Sequence, residues 1–142
     1  MKLLNFVIGS QNIDLEWPDG GYADLHNDYD FSQLTYVPAE ARLTLSWRKS
    51  SGKWAKYAPS QALHLVFEKV SYLQVKARDP AYPISEDECL RDICFSPLDE
   101  RADFDHVWES HTLPPARDLQ LVFQSEWGIK VSADTVLLEL ES

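Results

Sequence analysis

Leu63-His64-Leu65-Val66-Phe67 followed by Leu73-Gln74-Val75-Lys76-Ala77 recurs 56 residues later as Leu119-Gln120-Leu121-Val122-Phe123 followed by Ile129-Lys130-Val131-Ser132-Ala133, and this doubled stretch decides the fold class. In the first limb Leu63, Leu65 and Phe67 fall on one side while His64, Val66 and Glu68 fall on the other. That period of two marks a half-buried β-strand. Each copy reads as two paired strands, with the Leu/Phe faces forming opposite walls of one core about 10 Å thick. Ser125-Glu126-Trp127-Gly128 supplies a turn in the second copy. Glu68-Lys69-Val70-Ser71 is a poorer turn, so the first copy reads alternatively as one bent strand. Duplication and chance convergence within the small strand alphabet of Leu, Val, Ile and Phe both account for the match.

Working outward, strands are expected at 3–8, 31–37, 41–47, 62–67, 72–77, 93–96, 119–124, 128–133 and 135–140. Turn chemistry separates them at Pro18-Asp19-Gly20-Gly21, Ser50-Ser51-Gly52, Asp79-Pro80 and Pro114-Pro115. Strands at this spacing predict a mainly β fold, an antiparallel sandwich or partly open barrel, within a single domain over residues 1–142. One or two short helices are expected beside it. Ser85-Glu86-Asp87-Glu88 has capping-box spacing, and Leu90, Ile93 and Cys94 then share a face, although a strand through Cys94-Phe95 fits equally. Asp99–Glu109 shows weaker helical spacing at Phe104, Val107 and Trp108.

Composition bounds the class. A chain of 142 residues buries roughly 70% of its extended surface, and 44% hydrophobic with 12% aromatic residues is too apolar for disorder. Cys89 and Cys94 are too few for a disulfide framework and read as free thiols. The opening Met1–Ile8 is short, is interrupted by Asn5 and reads as a first strand rather than a signal peptide. No apolar run reaches the roughly 20 residues of a membrane span, so a soluble, cytoplasmic protein is expected.

Charge is distributed in blocks. Residues 1–40 carry −6, residues 41–67 carry +5 with no acid, and residues 68–142 carry −9, within a total of −10. Nine carboxylates and two arginines lie between 86 and 109. Such a segment repels phosphate and anionic lipid and attracts cationic surfaces, which speeds encounter with a basic protein. The candidate partner-binding residues are therefore Glu86, Asp87, Glu88, Asp99, Glu100, Asp103, Asp105, Trp108 and Glu109; a solvated loop that only maintains solubility is the plain alternative. The block Trp47-Arg48-Lys49-Ser50-Ser51-Gly52-Lys53-Trp54-Ala55-Lys56-Tyr57 interleaves aromatics with cations, as single-strand nucleic-acid binders do. Flanked by acidic blocks, it reads instead as a hairpin with Trp47 and Trp54 near its tip, and no nucleic acid is expected as a partner.

Catalytic templates are absent from the sequence. There is no G-x-S-x-G elbow, phosphate loop or dinucleotide fingerprint. Asp103, Asp105, His106, Glu109 and His111 crowd together, yet without H-E-x-x-H or paired C-x-x-C spacing, and His26–Asp30 lacks the glycine and distal glutamate of a calcium loop. No metal, cofactor or catalytic residue is assigned. A small-ligand, carbohydrate or metal-dependent enzyme reading would use an aromatic- and carboxylate-lined cleft at Trp17, Tyr22 and Trp127.

The run Leu119-x-Leu-Val-Phe…Gly128-Ile-x-Val-x-Ala-Asp134-x-Val136, preceded by Leu63-x-Leu-Val-Phe-x-x-Val70, resembles the small β-rich immunity proteins of bacterial polymorphic toxin systems over roughly the last 80 residues. The resemblance implies an intracellular, non-catalytic protein that blocks a cognate toxin by direct binding; separately, a monomer or homodimer is expected. The matching positions are core strand residues, so no functional residue is carried across.

Overall fold

The computed structural model describes the backbone of residues 1–142 and all side chains but those of Lys56 and Tyr57, so that end of the basic-aromatic block lies outside the described side chains. Twelve strands form: β1 (Lys2–Leu3), β2 (Val7–Ile8), β3 (Asp14–Trp17), β4 (Gly21–Asp24), β5 (Tyr29–Val37), β6 (Arg42–Lys49), β7 (Ala62–Glu68), β8 (Tyr72–Lys76), β9 (Leu90–Pro97), β10 (Arg117–Phe123), β11 (Gly128–Ser132) and β12 (Thr135–Glu141). They build a five-stranded sheet ordered β1-β12-β7-β6-β5, a four-stranded sheet ordered β8-β11-β10-β9 and a three-stranded sheet ordered β2-β3-β4. The result is mainly β, consistent with a sandwich and without a closed barrel. The β1–β12 pair is parallel and every other pair is antiparallel.

The first limbs of the two copies face one shared core, whereas in the second limbs Ile129 and Val131 are buried and Val75 is 54% exposed. Leu63, Leu65 and Phe67 of β7 and Leu119, Leu121 and Phe123 of β10 are all fully buried and belong to one apolar cluster with Leu43, Leu45 and Trp47 of β6. Phe31 of the five-stranded sheet meets Phe123 of the four-stranded sheet with ring centroids 4.9 Å apart, which joins the two layers directly. Fully burying each such side chain stabilises the fold by about 1.5–3 kcal/mol.

The two copies differ in connection. β10 and β11 form a hairpin closed by the Phe123 amide on the Trp127 carbonyl, with Glu126 in the left-handed region at φ 71°. β7 and β8 do not pair. They belong to different sheets, and the chain passes between them at Lys69, whose φ is 56°. β11–β12 makes the same crossing alongside, tied by Ser71 N–H to Ser132 O and Asp134 N–H to Glu68 O. The first copy is thus a strand bent across the sandwich corner.

Other expectations shift in detail. The single strand at 3–8 divides into β1 and β2, which join different sheets. Pro18–Gly21 turns as expected, with Asp19 and Gly20 at φ 71° and 79°, but between β3 and β4, whose pairing the sequence had not suggested. No α-helix forms: residues 84–88 make a short 3-10 turn that leads straight into β9, and residues 99–109 hold no helix beyond the turn Leu98–Glu100. Trp47 is fully buried in the core rather than at a hairpin tip, while Trp54 is 67% exposed.

Candidate functional site

The outer face of the four-stranded sheet is polar, yet it is buried. Along it lie Asp118 and Gln120 of β10, Cys94 and Ser96 of β9 and Lys130 of β11, all essentially inaccessible. What hides them is the segment between β9 and β10, which folds back over the face instead of leaving it to solvent. Phe104 packs so close to Gly128 that a Cβ there would stand 2.7 Å from its ring, which explains a glycine at a strand position.

Cations beneath the segment hold it by its backbone. Lys130 Nζ donates to the carbonyls of Glu100 and Asp103, each at 2.6 Å, and sits 4.7 Å from the Phe104 ring centroid and 5.5 Å from that of Trp108. Burial lowers its pKa, although Asp118 and Asp103 oppose that fall. Gln120 donates to His106 O, Arg91 to Phe104 O and Arg117 to Ser110 O. Arg101 grips fully buried Asp118 through two bonds of 2.9 and 3.0 Å while stacking on Tyr72. Arg91 pairs with Asp92, whose pKa burial raises against that pairing.

These cations meet carbonyls and sheet carboxylates rather than the side chains of the segment's own acids. Asp99, Glu100 and Asp105 are exposed and, among the described residues, have no ion-pair partner; Glu109 meets only His111, at 3.3 Å. Asp103 is half-buried and accepts the amides of Asp105 and His106, which shapes the loop. Exposed Leu98 and Val107 and half-buried Trp108 lie among them. Glu86, Asp87 and Glu88 lie elsewhere, in the turn before the far end of β9, an extended strand of eight residues spanning roughly 20–25 Å. Asp87 is occupied by Arg78 and Ser125: burial alone would raise its pKa, and those hydrogen bonds bring it below the usual carboxylate value. The acidic segment is continuous in sequence but divided in space.

A cavity of about 680 Å³ opens beside the covering segment, between it and the β1–β2 region. Ile8, Phe95, Val107, Trp108, Glu109 and Arg117 are among its walls. Of the expected partner-binding residues, Trp108 and Glu109 reach it.

Two side-chain arrangements invite a catalytic reading, and their wiring argues against it. Cys89 Sγ lies 3.5 Å from His26 Nδ1, but that nitrogen is 2.6 Å from the Leu90 carbonyl and must carry a proton to satisfy it, so it cannot receive one from the thiol. Burial, with Glu86, Asp30 and Asp24 nearby, also raises the Cys89 pKa, whereas a nucleophile needs it lowered. Ser46 Oγ contacts His64 Nδ1 at 2.7 Å and His64 Nε2 contacts Glu141 at 2.9 Å. Ser46 and His64 face each other across β6 and β7, and His64 reaches diagonally to Glu141, whose partner in the ladder is Ala62. Ladder bonding on both sides of β6 and β7 occupies the backbone amides that would have to form an oxyanion site. Of the suggested aromatic cleft, Trp127 stacks on Phe123 with centroids 4.2 Å apart, and Trp17 lines a cavity of about 440 Å³ to which neither Tyr22 nor Trp127 contributes. Among the described residues, no three His, Cys, Asp or Glu side chains converge as a metal site, and no helix is long and apolar enough to cross a membrane.

Comparison of the chain with protein-family models, curated proteins and solved structures returns no match. Sequence reasoning missed Lys130, Arg101, Gln120 and Arg117, the residues that seat the segment. Alternation assigns Lys130 and Gln120 to the outer face correctly, but alternation carries no signal that a distant loop covers that face.

Proposed function

We propose that this chain is a non-catalytic protein-binding module, of immunity type, that neutralises a cognate toxin by presenting the segment 98–109 to a basic surface. The observation that supports this reading is the disposition of charge: buried Lys130 and half-buried Arg91 fasten the segment through its carbonyls, so Asp99, Glu100 and Asp105 stand outward, unpaired among the described residues, on a backbone already ordered. Ordering before encounter removes an entropic cost of binding. The carboxylates steer approach, and Leu98, Val107 and Trp108 supply apolar area that slows departure. The resemblance of the strand pattern to immunity proteins supports a toxin as the partner class.

The test is a charge reversal at Asp99→Lys, Glu100→Lys and Asp105→Lys together, compared with wild type for capture of the basic partner in the native host and for protection of growth against its toxicity. The expected result is an association rate at least about tenfold slower at low salt, with protection lost. Binding that ignores both the reversal and ionic strength would overturn the reading.

A further inference from the structure

Arg117 stands apart from the other half-buried arginines. Arg78, Arg91 and Arg101 each have a carboxylate within 2.9 Å, at Asp87, Asp92 and Asp118 respectively. Among the described residues Arg117 has none. Its guanidinium stacks on Phe95 with its carbon 3.7 Å from the ring centroid, and Nη1 donates to Ser110 O at 3.0 Å. Nε is buried with no partner at all. A desolvated cation without a counter-ion costs stability, and burial accordingly pulls its pKa below the ordinary arginine value. It lines the cavity of about 680 Å³, a size usual for small-ligand sites, whose other walls include Ile8, Val107 and Trp108.

We propose that this cavity binds a monocarboxylate with an apolar body, the carboxylate resting on the planar fork of Arg117 and the body against Trp108, Val107 and Ile8. A guanidinium fork matches a carboxylate in geometry as well as charge. Glu109 on the same wall selects against a dianion such as phosphate. The chain's charge of −10 gives anions no long-range attraction, so recognition is short-range and the affinity modest, with a Kd of about 0.1–1 mM. The cavity shares Val107 and Trp108 with the proposed docking surface, but Asp99, Glu100 and Asp105 lie outside its walls, so the charge reversal that tests docking leaves the cavity's own residues in place.

Calorimetric titration of the full chain with phenylacetate and hexanoate, against phenylacetamide, hexanamide and inorganic phosphate, tests it. Saturable binding of the carboxylates is expected, with the amides and phosphate weaker by about tenfold or more. Arg117→Gln is expected to abolish binding; Val107→Asp, at an exposed rim position, is expected to do the same without altering the melting temperature. The inference is overturned if the carboxylates show no saturation by about 10 mM, a concentration well above the expected Kd. Amides or phosphate binding as well as the carboxylates, or binding that survives Val107→Asp in the folded variant, overturns it equally.

Discussion

The units 63–77 and 119–133 share the inner face of their first strands and differ on the outer one. Inward, Leu63, Leu65 and Phe67 match Leu119, Leu121 and Phe123, all fully buried. Outward, the first unit carries His64 and Gln74 where the second carries Gln120 and Lys130, and the residues just before the units are Ala62 and Asp118. His64 is half-buried on the outer face of the five-stranded sheet, whereas Asp118, Gln120 and Lys130 are sealed beneath the 98–116 cover. Strand alternation therefore establishes the core, and the polar residues on the other face decide whether a sheet stays bare or acquires a third layer. Exchanging outer-face residues between the units should separate these two roles.

The largest effect is expected at Arg101. Arg101→Ala leaves buried Asp118 without its hydrogen-bonded counter-ion and should destabilise the protein by about 3–5 kcal/mol, measured by chemical denaturation. Adding Asp118→Ala, which reproduces Ala62 just before the first unit, should recover much of that loss, because the cost lies in the orphaned carboxylate more than in the absent pair. If the double variant is no more stable than Arg101→Ala, the stacking on Tyr72 is the principal contribution and the electrostatic account is wrong.

Lys130→Gln, which copies Gln74, should cost less, about 2 kcal/mol, by withdrawing a charged donor from the Glu100 and Asp103 carbonyls. Amide hydrogen exchange should localise the loosening to residues 98–116 and leave the β10–β11 ladder protected. The pH dependence is distinctive. Because the folded lysine has its pKa lowered from 10.5, the unfolded chain binds more protons in the interval between the two values. Wild-type stability relative to the variant should therefore increase as pH rises towards 10.5, since the penalty for burying the charge is fully present below the folded pKa and fades above it. A constant difference across that interval would mean that the ammonium is effectively solvated.

The core and class were legible because period-two alternation depends only on which side of a strand is dry, and Leu63 or Leu121 answers that locally. The hairpin at 124–127 was legible for the same local reason, and the poor turn at Glu68–Ser71 gave notice of the bent strand. The third layer was not legible. Lys130 reads as a solvent-facing lysine, and only the fold brings the Glu100 and Asp103 carbonyls to it from 30 and 27 positions away. The acidic run 86–109 misled in a related way: a charge count treats it as one surface, while β9 runs through its middle, buries Asp92 and separates Glu88 from Asp99. Arg117 was invisible as a candidate because nothing in sequence distinguishes an arginine with a carboxylate from one without.

The smallest effect is expected at His64, and its smallness is informative. His64→Gln gives the first unit the residue found at Gln120, and it removes contacts to Ser46 and to Glu141, whose side chain is 64% exposed. Side-chain contacts to such exposed groups contribute little, so a change within about 0.5 kcal/mol is expected by thermal or chemical denaturation. Ser46→Ala should be similarly mild. A loss above about 2 kcal/mol would place His64 in the range of buried polar networks, and the outer face of the five-stranded sheet would then have to be regarded as covered. A near-neutral result would show that the same strand pattern tolerates a free outer face in one unit and depends on a pinned one in the other, with the depth of burial of the polar partners, rather than their number, setting the difference.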